Sequence, residues 1–365
     1  MPEVQPTRGG SSAPNSRFVP TGRIATAQTR TLSRISMPSA FVVIVNFRTG
    51  LLVADCLASL AAEAPFLNGG KVIVVDNASG DDSLLRIESA IECQGWREWV
   101  EVLPMPRNGG FAYGNNAGIA RARELDARFA AVILLNPDTV VRPGTIGALV
   151  GFFDQHRDVG IVGASIEDAR GRLEITARRD PSPIGELGYG ASLGVLDRWL
   201  NGPQPAVQSD APQPCDWVSG ACMGIRRETL DAVGTLDEGF FLYFEEVDYC
   251  SRARRLGWSC WFVPRARVVH LEGAATGIKS GRQRRPAYWY ASRRRFFTKR
   301  YGVAGLLAAD ALWSLGRLTL VLRRALRLGG HHVRDSEPRD FAFDLLVGDL
   351  RALLRGELSR VSVDS

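Results

Sequence analysis

The sequence predicts an α/β fold, a mostly parallel central sheet with helices on both faces, followed by a helical C-terminal extension. Three observations predict it. Short apolar runs, F-V-V-I-V-N-F at 41–47, K-V-I-V-V-D-N at 71–77 and A-A-V-I-L-L-N-P-D at 130–138, end in polar residues, as strands buried on both sides do. Helix-length stretches separate the runs, the alternation that parallel crossovers require. The 365 residues are 45% apolar and 23% charged, which excludes a wholly disordered chain, a collagen-like repeat and a polytopic membrane protein.

In order, a strand begins at Phe41 and a helix covers Leu51 to Ala64. A second strand ends in Asp76, and G-D-D-S then starts a helix with Asp82 or Ser83 as its cap. Val100 to Leu103 is a short third strand, followed by a glycine- and asparagine-rich turn, a helix from Asn116 to Ala127 and a fourth strand ending at Asp138. Val159 to Ser165 and Arg172 to Thr176 read as short strands, and the Pro/Gly-rich stretch to about Pro214 as a mobile loop. Asp216 to Arg227 is a loop and strand, Phe244 to Leu256 a helix, and Trp258 to Val263 a strand. Ala266 to His270 leads into a glycine-containing loop. No internal repeat is present.

Four units follow from this pattern. Residues 1–38, rich in Ser, Thr, Pro, Gly and Arg, read as a disordered leader without the apolar core of a secretory signal, and Met37 is an alternative start. Residues 39–278 form the α/β domain, 279–334 a basic aromatic and amphipathic helical segment, and 335–365 a helical tail. Six cysteines with no C-x-x-C pair read as reduced thiols in a cytosolic protein. The net charge of +6 is unevenly placed: 279–334 hold 14 Lys/Arg against the single acid Asp310. That segment should meet something anionic, a phospholipid surface or nucleic acid. Asp310 and Arg317 interrupt its apolar run, so it reads as an interfacial helix lying at the headgroups.

In open parallel sheets ligands bind beyond the carboxyl ends of the strands. Those ends carry Asn46-Phe47-Arg48, Asp76-Asn77, Arg107-Asn108 and Asn136-Pro137-Asp138, four polar clusters converging on one crevice. Asp138 suits a divalent cation bridging a diphosphate, although Asn-Pro-Asp is also ordinary turn chemistry. Asp76 can accept hydrogen bonds from a base or ribose, or cap the next helix. In R-N-G-G-F-A-Y-G-N-N, Gly109 and its neighbour let backbone approach a ligand while amides supply donors and acceptors. Glu245, Glu246 and Asp248 cluster at a helix start, where an ionised carboxylate can act as a general base, or where the three simply cap the helix and pair with Arg252. His270, following V-V, is on its own an ordinary structural histidine.

Taken together, V-V-I-V-N-F-R, V-V-D-N-A-S-G-D-D-S, R-N-G-G-F-A-Y-G-N-N-A-G-I, L-L-N-P-D-T-V-V, W-V-S-G-A-C-M-G-I-R-R, F-F-L-Y-F-E-E-V-D-Y-C and V-V-H-L-E-G resemble, in this order, the family 2 inverting glycosyltransferases, particularly the bacterial rhamnosyltransferase-like branch. The resemblance implies the GT-A fold, with a Rossmann-like sheet. It implies that Asp76 contacts the nucleotide base, with Asn46, Phe47, Arg48, Asn77, Asn108, Gly109 and Asn136 around the nucleotide. N-P-D resembles the family's D-x-D element with its first carboxylate replaced, which leaves Asp138, with His270, to hold Mg²⁺ or Mn²⁺. E-E stands where many relatives have Glu-Asp and makes Glu246 the candidate base, with Glu245 and Asp248 as alternatives. Trp217, Ser219 and Gly220 should line the acceptor site.

The implied activity is metal-dependent inverting transfer of a sugar, rhamnose by resemblance, from a nucleotide-diphosphate donor such as dTDP-rhamnose. The implied acceptor is a lipid-linked or glycan hydroxyl in cell-envelope polysaccharide or glycolipid synthesis. The protein is expected in the cytoplasm, peripheral on the inner face of the cell membrane and held by its anionic surface. A nucleotide-sugar-binding protein without catalysis, and a nucleic-acid-binding protein using 279–334, are the other classes. No nucleic-acid motif accompanies the basic segment, so no nucleic-acid partner is expected.

Overall fold

The structure is a computed structural model that describes residues 39–194, 199–200, 210–271, 283–326 and 338–358. Four parallel strands form one half of the main sheet: β1 (Ala40–Asn46), β2 (Val72–Asp76), β3 (Val100–Pro104) and β4 (Ala131–Leu135), in spatial order β3-β2-β1-β4. The sheet continues through β10 (Cys222–Arg226), β6 (Val159–Glu167), β11 (Ser259–His270) and β5 (Thr139–Val141). β10 runs antiparallel to both its neighbours and β5 antiparallel to β11, whereas β11 and β6 are parallel. β8 (Gln213–Cys215) pairs with β11, and β7 (Ala177–Arg178) forms a separate ribbon with β9 (Trp217–Val218).

Successive β1 side chains enter opposite cores, as the period of a strand dictates. Val42 and Ile44 pack with α1 (Gly50–Leu60), α2 (Ser83–Gln94) and α4 (Thr145–Gln155). Phe41, Val43 and Val45 pack on the other side with α3 (Gly110–Leu125), α6 (Arg227–Val233) and α7 (Glu245–Arg255). Helices therefore cover both faces of the sheet.

Several local expectations are corrected. α3 starts at Gly110 instead of Asn116. Its glycines recur every fourth residue and face β1: a Cβ at Gly114 would lie 2.7 Å from Val45 Cγ1, and one at Gly118 2.4 Å from Val43 Cγ1. Close helix-to-strand packing outweighs the cost of about 1 kcal/mol per helical glycine. Neither Asp82 nor Ser83 caps α2, because Asp82 is taken by Arg86 at 2.6 Å and Asp81 accepts from the Ser83 N–H instead. No strand covers 172–176; the ribbon strand lies one step on, at Ala177–Arg178. β11 joins the two pieces expected at 258–263 and 266–270 into one strand, with a register irregularity between Val263 and Arg267.

Part of the expected loop before Pro214 is a helix, α5 (Pro183–Ala191). Ser182 caps it through Gly185 N at 3.0 Å, and Pro183 occupies the first turn, where its missing N–H is harmless. The glycines there serve a crossing: a Cβ on Gly190 would lie 2.3 Å from Trp313 O, and one on Gly316 2.3 Å from Leu187 O. Residues 195–198 and 201–209, the rest of that expected loop, lie outside the described residues, as do the leader 1–38 and residues 359–365.

The C-terminal extension is α8 (Ala287–Ala325) and α9 (Phe341–Leu354). α8 breaks at Gly302, whose φ of 69° and ψ of 178° are not helical. The aromatics of its first half turn inward: Tyr290, Phe296 and Phe297 are buried, and Trp289 packs on Phe341. Its cations meet carboxylates from distant segments. Arg293, 2% exposed, donates to Glu186 at 2.9 Å, Asp310 at 2.8 Å and Asp349 at 3.4 Å. Arg294 pairs with Asp349, Arg295 with Asp237, and Lys299 with both Asp237 and Asp248. α8 also holds a window of mean hydropathy 1.4, long enough to cross a membrane by composition alone, with a third of it buried in the fold.

Candidate active site

β1 and β2 are paired so that Asn46 lies opposite Asp76 at the carboxyl edge of the sheet. The Asn46 amide donates to Asp76 Oδ1 at 2.6 Å, and its Oδ1 accepts from Thr49 N and Oγ1 at 3.1 and 2.8 Å. Asn46 is thus a brace that ties β1 to the start of α1. Asp76 Oδ1 also accepts from Ser79 Oγ at 2.5 Å, whereas Oδ2 has only a long 3.3 Å bond from Ser79 N. Oδ2 therefore retains the acceptor capacity that a nucleotide base would use. Arg48, with φ 60°, donates to Ser79 O at 2.9 Å and lies 5.1 Å from the Phe47 ring, which is 37% exposed.

Asn77 and Asn108 do not line the crevice as free amides. Asn77 is 1% exposed and donates to Gly110 O at 2.9 Å, while Asn108 Oδ1 accepts from Gly110 N at 3.0 Å. Both build the start of α3. Gly110, at φ 88°, must be glycine, because a Cβ would lie 2.1 Å from Phe241 O, and Phe111 N donates to the same carbonyl at 2.8 Å. A Cβ on Gly109 would likewise strike its own helix's Tyr113 ring at 2.4 Å.

The N-P-D turn lies across the crevice. Pairing of β5 with β11 sets His270 opposite Thr139, which brings its Nε2 to 3.2 Å from Asp138 Oδ1 and 3.3 Å from the Asn136 amide. Asp138 is 2% exposed. No group of three or more His, Cys, Asp or Glu side chains placed to hold a metal ion occurs among the described residues. Asp138 and a neutral His270 thus fit a divalent cation as two ligands, an oxygen and a nitrogen on one side, provided a ligand such as diphosphate completes the sphere. Beneath the turn, burial pushes the Cys56 thiol up to about 12, an inert support.

The three carboxylates at the start of α7 are in different settings. Asp248 is tied to Arg252 at 2.9 Å and Lys299 at 2.8 Å, so it is committed to the helix and its packing. Glu245 is buried, and burial followed by repulsion from Glu246 raises its carboxyl well above the usual range. Glu246 is half-buried and pushed up to about 7 by desolvation, while its own N–H, that of Val247 and the Arg178 charge pull the other way. Burial raises both carboxyls, and repulsion between neighbours opposes ionising both at once, so one ionised and one neutral group is the favoured arrangement.

The segment 217–221 spans the distance between these two sides. Trp217 Nε1 donates to Arg179 O at 2.9 Å, and Ser219 N to Thr176 O at 3.0 Å. A Cβ on Gly220 would lie 3.5 Å from Phe111 and 3.8 Å from Glu246 Cβ. Ala221 O accepts from Asn136 N at 3.0 Å, which carries the segment to the N-P-D turn. Gly220 and Ala221 thus connect the surroundings of Glu246 to the N-P-D turn, whereas Trp217 and Ser219 are tied to residues 176–179. Of the non-glycine residues with left-handed φ, Arg48, Ala78, Tyr243 and Phe244 all rim this site, the last two directly preceding Glu245. Such conformations persist where the surroundings over-determine them, typically at functional sites. Ser79, Phe111, Arg178 and Phe241 were not legible as site residues. Only Ser79 carried a signal, its three-residue spacing from Asp76.

A sheet of this topology, with carboxylates at its carboxyl edge and an acid pair facing an Asp–His pair across one segment, defines a glycosyltransferase of the GT-A fold. GalNAc-T7, solved with UDP, GalNAc and Mn²⁺, shares the fold at TM-score 0.52 and 15% identity over 87% of this chain and 58% of its own. The Pyrobaculum calidifontis mannosyltransferase PcManGT, solved with GDP-Man and Mn²⁺, shares it at TM-score 0.50 and 14% identity over 88% of this chain and 84% of its own. The chain belongs to the family described as Glycosyltransferase like family 2, matched over residues 38–297. It is 31% identical over 247 residues, 65% of this chain and 77% of the relative, to the N-acetylglucosaminyl-diphospho-decaprenol L-rhamnosyltransferase of Mycobacterium tuberculosis (strain CDC 1551 / Oshkosh). It is 23% identical over 163 residues, 44% of this chain and 60% of the relative, to rhamnosyltransferase WbbL of Escherichia coli (strain K12). The protein is a glycosyltransferase enzyme of the rhamnosyltransferase-like kind.

Proposed function

We propose that this enzyme moves rhamnose from dTDP-rhamnose, with inversion, to a hydroxyl of a sugar linked through diphosphate to a lipid. The observation that carries the reading is the Gly220–Ala221 step, which neighbours Glu246 at Gly220 and is bonded to the N-P-D turn at Ala221, beside the Asp138–His270 pair. The rhamnosyltransferase relatives support the sugar and the lipid-linked acceptor.

In this mechanism Asp76 Oδ2 orients the base of the donor, and Phe47 offers its exposed ring face. Asp138 and His270 would hold a divalent cation, Mg²⁺ or Mn²⁺, which would supply Lewis-acid neutralisation of the diphosphate leaving group. Glu246 takes the proton of the acceptor hydroxyl as that oxygen bonds to the anomeric carbon. The bond from that carbon to the diphosphate oxygen breaks, its electron pair leaves with the nucleoside diphosphate, and one displacement inverts configuration. Burial and repulsion from Glu246 favour the neutral form of Glu245, which disfavours a second negative charge beside the base.

The test is a screen of the full chain against dTDP-rhamnose, UDP-galactofuranose, UDP-GlcNAc and GDP-mannose, with and without Mn²⁺ or Mg²⁺. One donor should bind and hydrolyse slowly in a metal-dependent way, and Asp138→Asn should remove the metal-dependent part. Folded protein that binds none of the four would overturn the donor assignment.

The same reading places the enzyme on the cytoplasmic face of an anionic membrane. The supporting surface is the outer face of α8 and α9. Leu307, Leu315, Leu318 and Leu322 follow one another at helical spacing and are 44–53% exposed. Phe343, Leu350 and Leu354 of α9 are 59%, 54% and 78% exposed, and exposed arginines 324, 351 and 355 accompany them. Apolar stripes beside cations suit lipid headgroups. The full chain should float with vesicles containing phosphatidylglycerol and much less with phosphatidylcholine alone. Leu315→Glu with Leu318→Glu should abolish flotation without changing donor hydrolysis, and flotation unchanged by that pair would remove this surface from the reading.

A further inference from the structure

Arg178 stands apart from the other cations around the site. Its neighbours Arg179 and Arg254 are tied to Asp216, and Arg254 also to Asp180. Among the described residues no carboxylate lies within 4.0 Å of Arg178; its Nε donates only to Ile175 O, a long 3.3 Å bond. It is exposed. The β7–β9 ribbon pairs Arg178 with Trp217, and the guanidinium lies 5.8 Å from the indole centroid. Its charge is also close enough to Glu246 to hold that carboxyl down against desolvation.

The position of this cation decides what it can serve. The 217–221 segment runs from Trp217, past Glu246 at Gly220, to Asn136 at Ala221. The donor diphosphate belongs at the Asp138–His270 end, so Arg178 lies at the other end, with the acceptor. An unpaired guanidinium beside a half-buried indole is a site for a sugar ring that carries an anion: the indole offers a flat apolar face, and the fork of N–H groups matches phosphate oxygens.

We propose that Arg178 and Trp217 form the acceptor subsite, with Trp217 stacking the acceptor sugar and Arg178 binding the phosphate through which that sugar is linked. This rests on the glycosyl-transfer reading above and adds to it the residue that selects a phosphate-linked acceptor over a neutral one. Arg178 touches the acceptor without taking part in bond making.

The test is titration calorimetry of the full chain with three ligands: a short-chain alkyl diphosphate carrying N-acetylglucosamine, the neutral alkyl glycoside of the same sugar, and an alkyl glucuronide. Acceptor-free donor hydrolysis is measured alongside. The wild type should bind the diphosphate at least about tenfold more tightly than the neutral glycoside, the scale of one charge-assisted bidentate contact. Arg178→Gln should abolish that preference and leave the neutral glycoside within about twofold; Arg178→Lys should keep part of the preference. A preference that survives Arg178→Gln, equal losses on both glycosides, or no preference in the wild type overturns the assignment. A glucuronide bound as tightly as the diphosphate overturns phosphate as the ligand. Wild-type protein that hydrolyses no donor counts against glycosyl transfer itself, whereas intact hydrolysis with no preference sinks the Arg178 subsite alone.

Discussion

Glu246→Gln is expected to lower sugar transfer about 10²–10⁴-fold, the span of a lost general base, while donor binding persists. The amide keeps the size of the side chain and removes its ability to take a proton. Because desolvation pushes Glu246 up to about 7, the working ionised form dominates only above that pH. Wild-type kcat/KM for acceptor should therefore climb as pH rises through about 7, and the variant should lack that limb. The sign for stability is opposite. A carboxyl whose folded value is raised contributes most when protonated, so the wild type loses stability as pH rises through about 7 and Glu246→Gln should melt above it at pH 8. Glu245→Gln is the control: burial and repulsion from Glu246 favour its neutral form, which the amide resembles, so its loss should be much smaller. Equal losses for the two variants, or a pH limb that survives Glu246→Gln, would move the base elsewhere.

Arg293→Met is expected to give the largest loss of stability, about 3–5 kcal/mol, the cost of leaving one side of a buried ion network unpaired. The buried guanidinium faces Glu186 of α5, Asp310 of α8 itself and Asp349 of α9, so its removal strands Glu186 and Asp310 and leaves Asp349 to Arg294 alone. Burial already pushes Asp310 up to about 7, with Asp349 adding and Arg293 subtracting. Without the cation, protonation is the remaining relief, so the deficit of the variant should shrink as pH falls from 8 to 5.5. Denaturant unfolding of the full chain at both pH values measures this. A deficit under 1 kcal/mol at pH 8, or one that widens on acidification, would show that the network does not anchor the helices.

How much of this was legible depended on whether the deciding partner was near in sequence. The strands of the parallel half were readable because Val42 to Val45, Val72 to Val75 and Val132 to Leu135 are buried on both faces and admit no polar residue. The polar strand ends followed from topology alone, as did their convergence. The N-terminal part of α3 and all of α5 were not readable, since Gly110, Gly114, Gly118 and Gly190 look like breakers until the strand or helix that needs their missing Cβ is known. The bonds of Asn77 and Asn108 to the backbone of Gly110 were not legible, because an amide bonded to the main chain has the same sequence signature as one without such a bond. The run from Arg293 to Lys299 read as a cationic surface because its counter-charges, Glu186, Asp237, Asp248 and Asp349, lie about 50 or more residues away. Arg178 was invisible for a related reason: the ribbon was placed one step too early, so nothing aligned it with Trp217.

The family match ends at residue 297, in the middle of α8 and within the packed pair Phe296–Phe297. Those rings share a cluster with Phe240 and Val247 beside the acidic start of α7, and with Leu306, Ala309 and Ala352 beyond the matched boundary. The unit that evolution or a protein engineer can exchange is therefore longer than the unit that sequence comparison delimits. A chimera joined at 297 would pair one enzyme's half-helix with another's and place the mismatch directly behind the acidic start of α7, whereas a junction after Leu358 keeps the whole cluster within one parent.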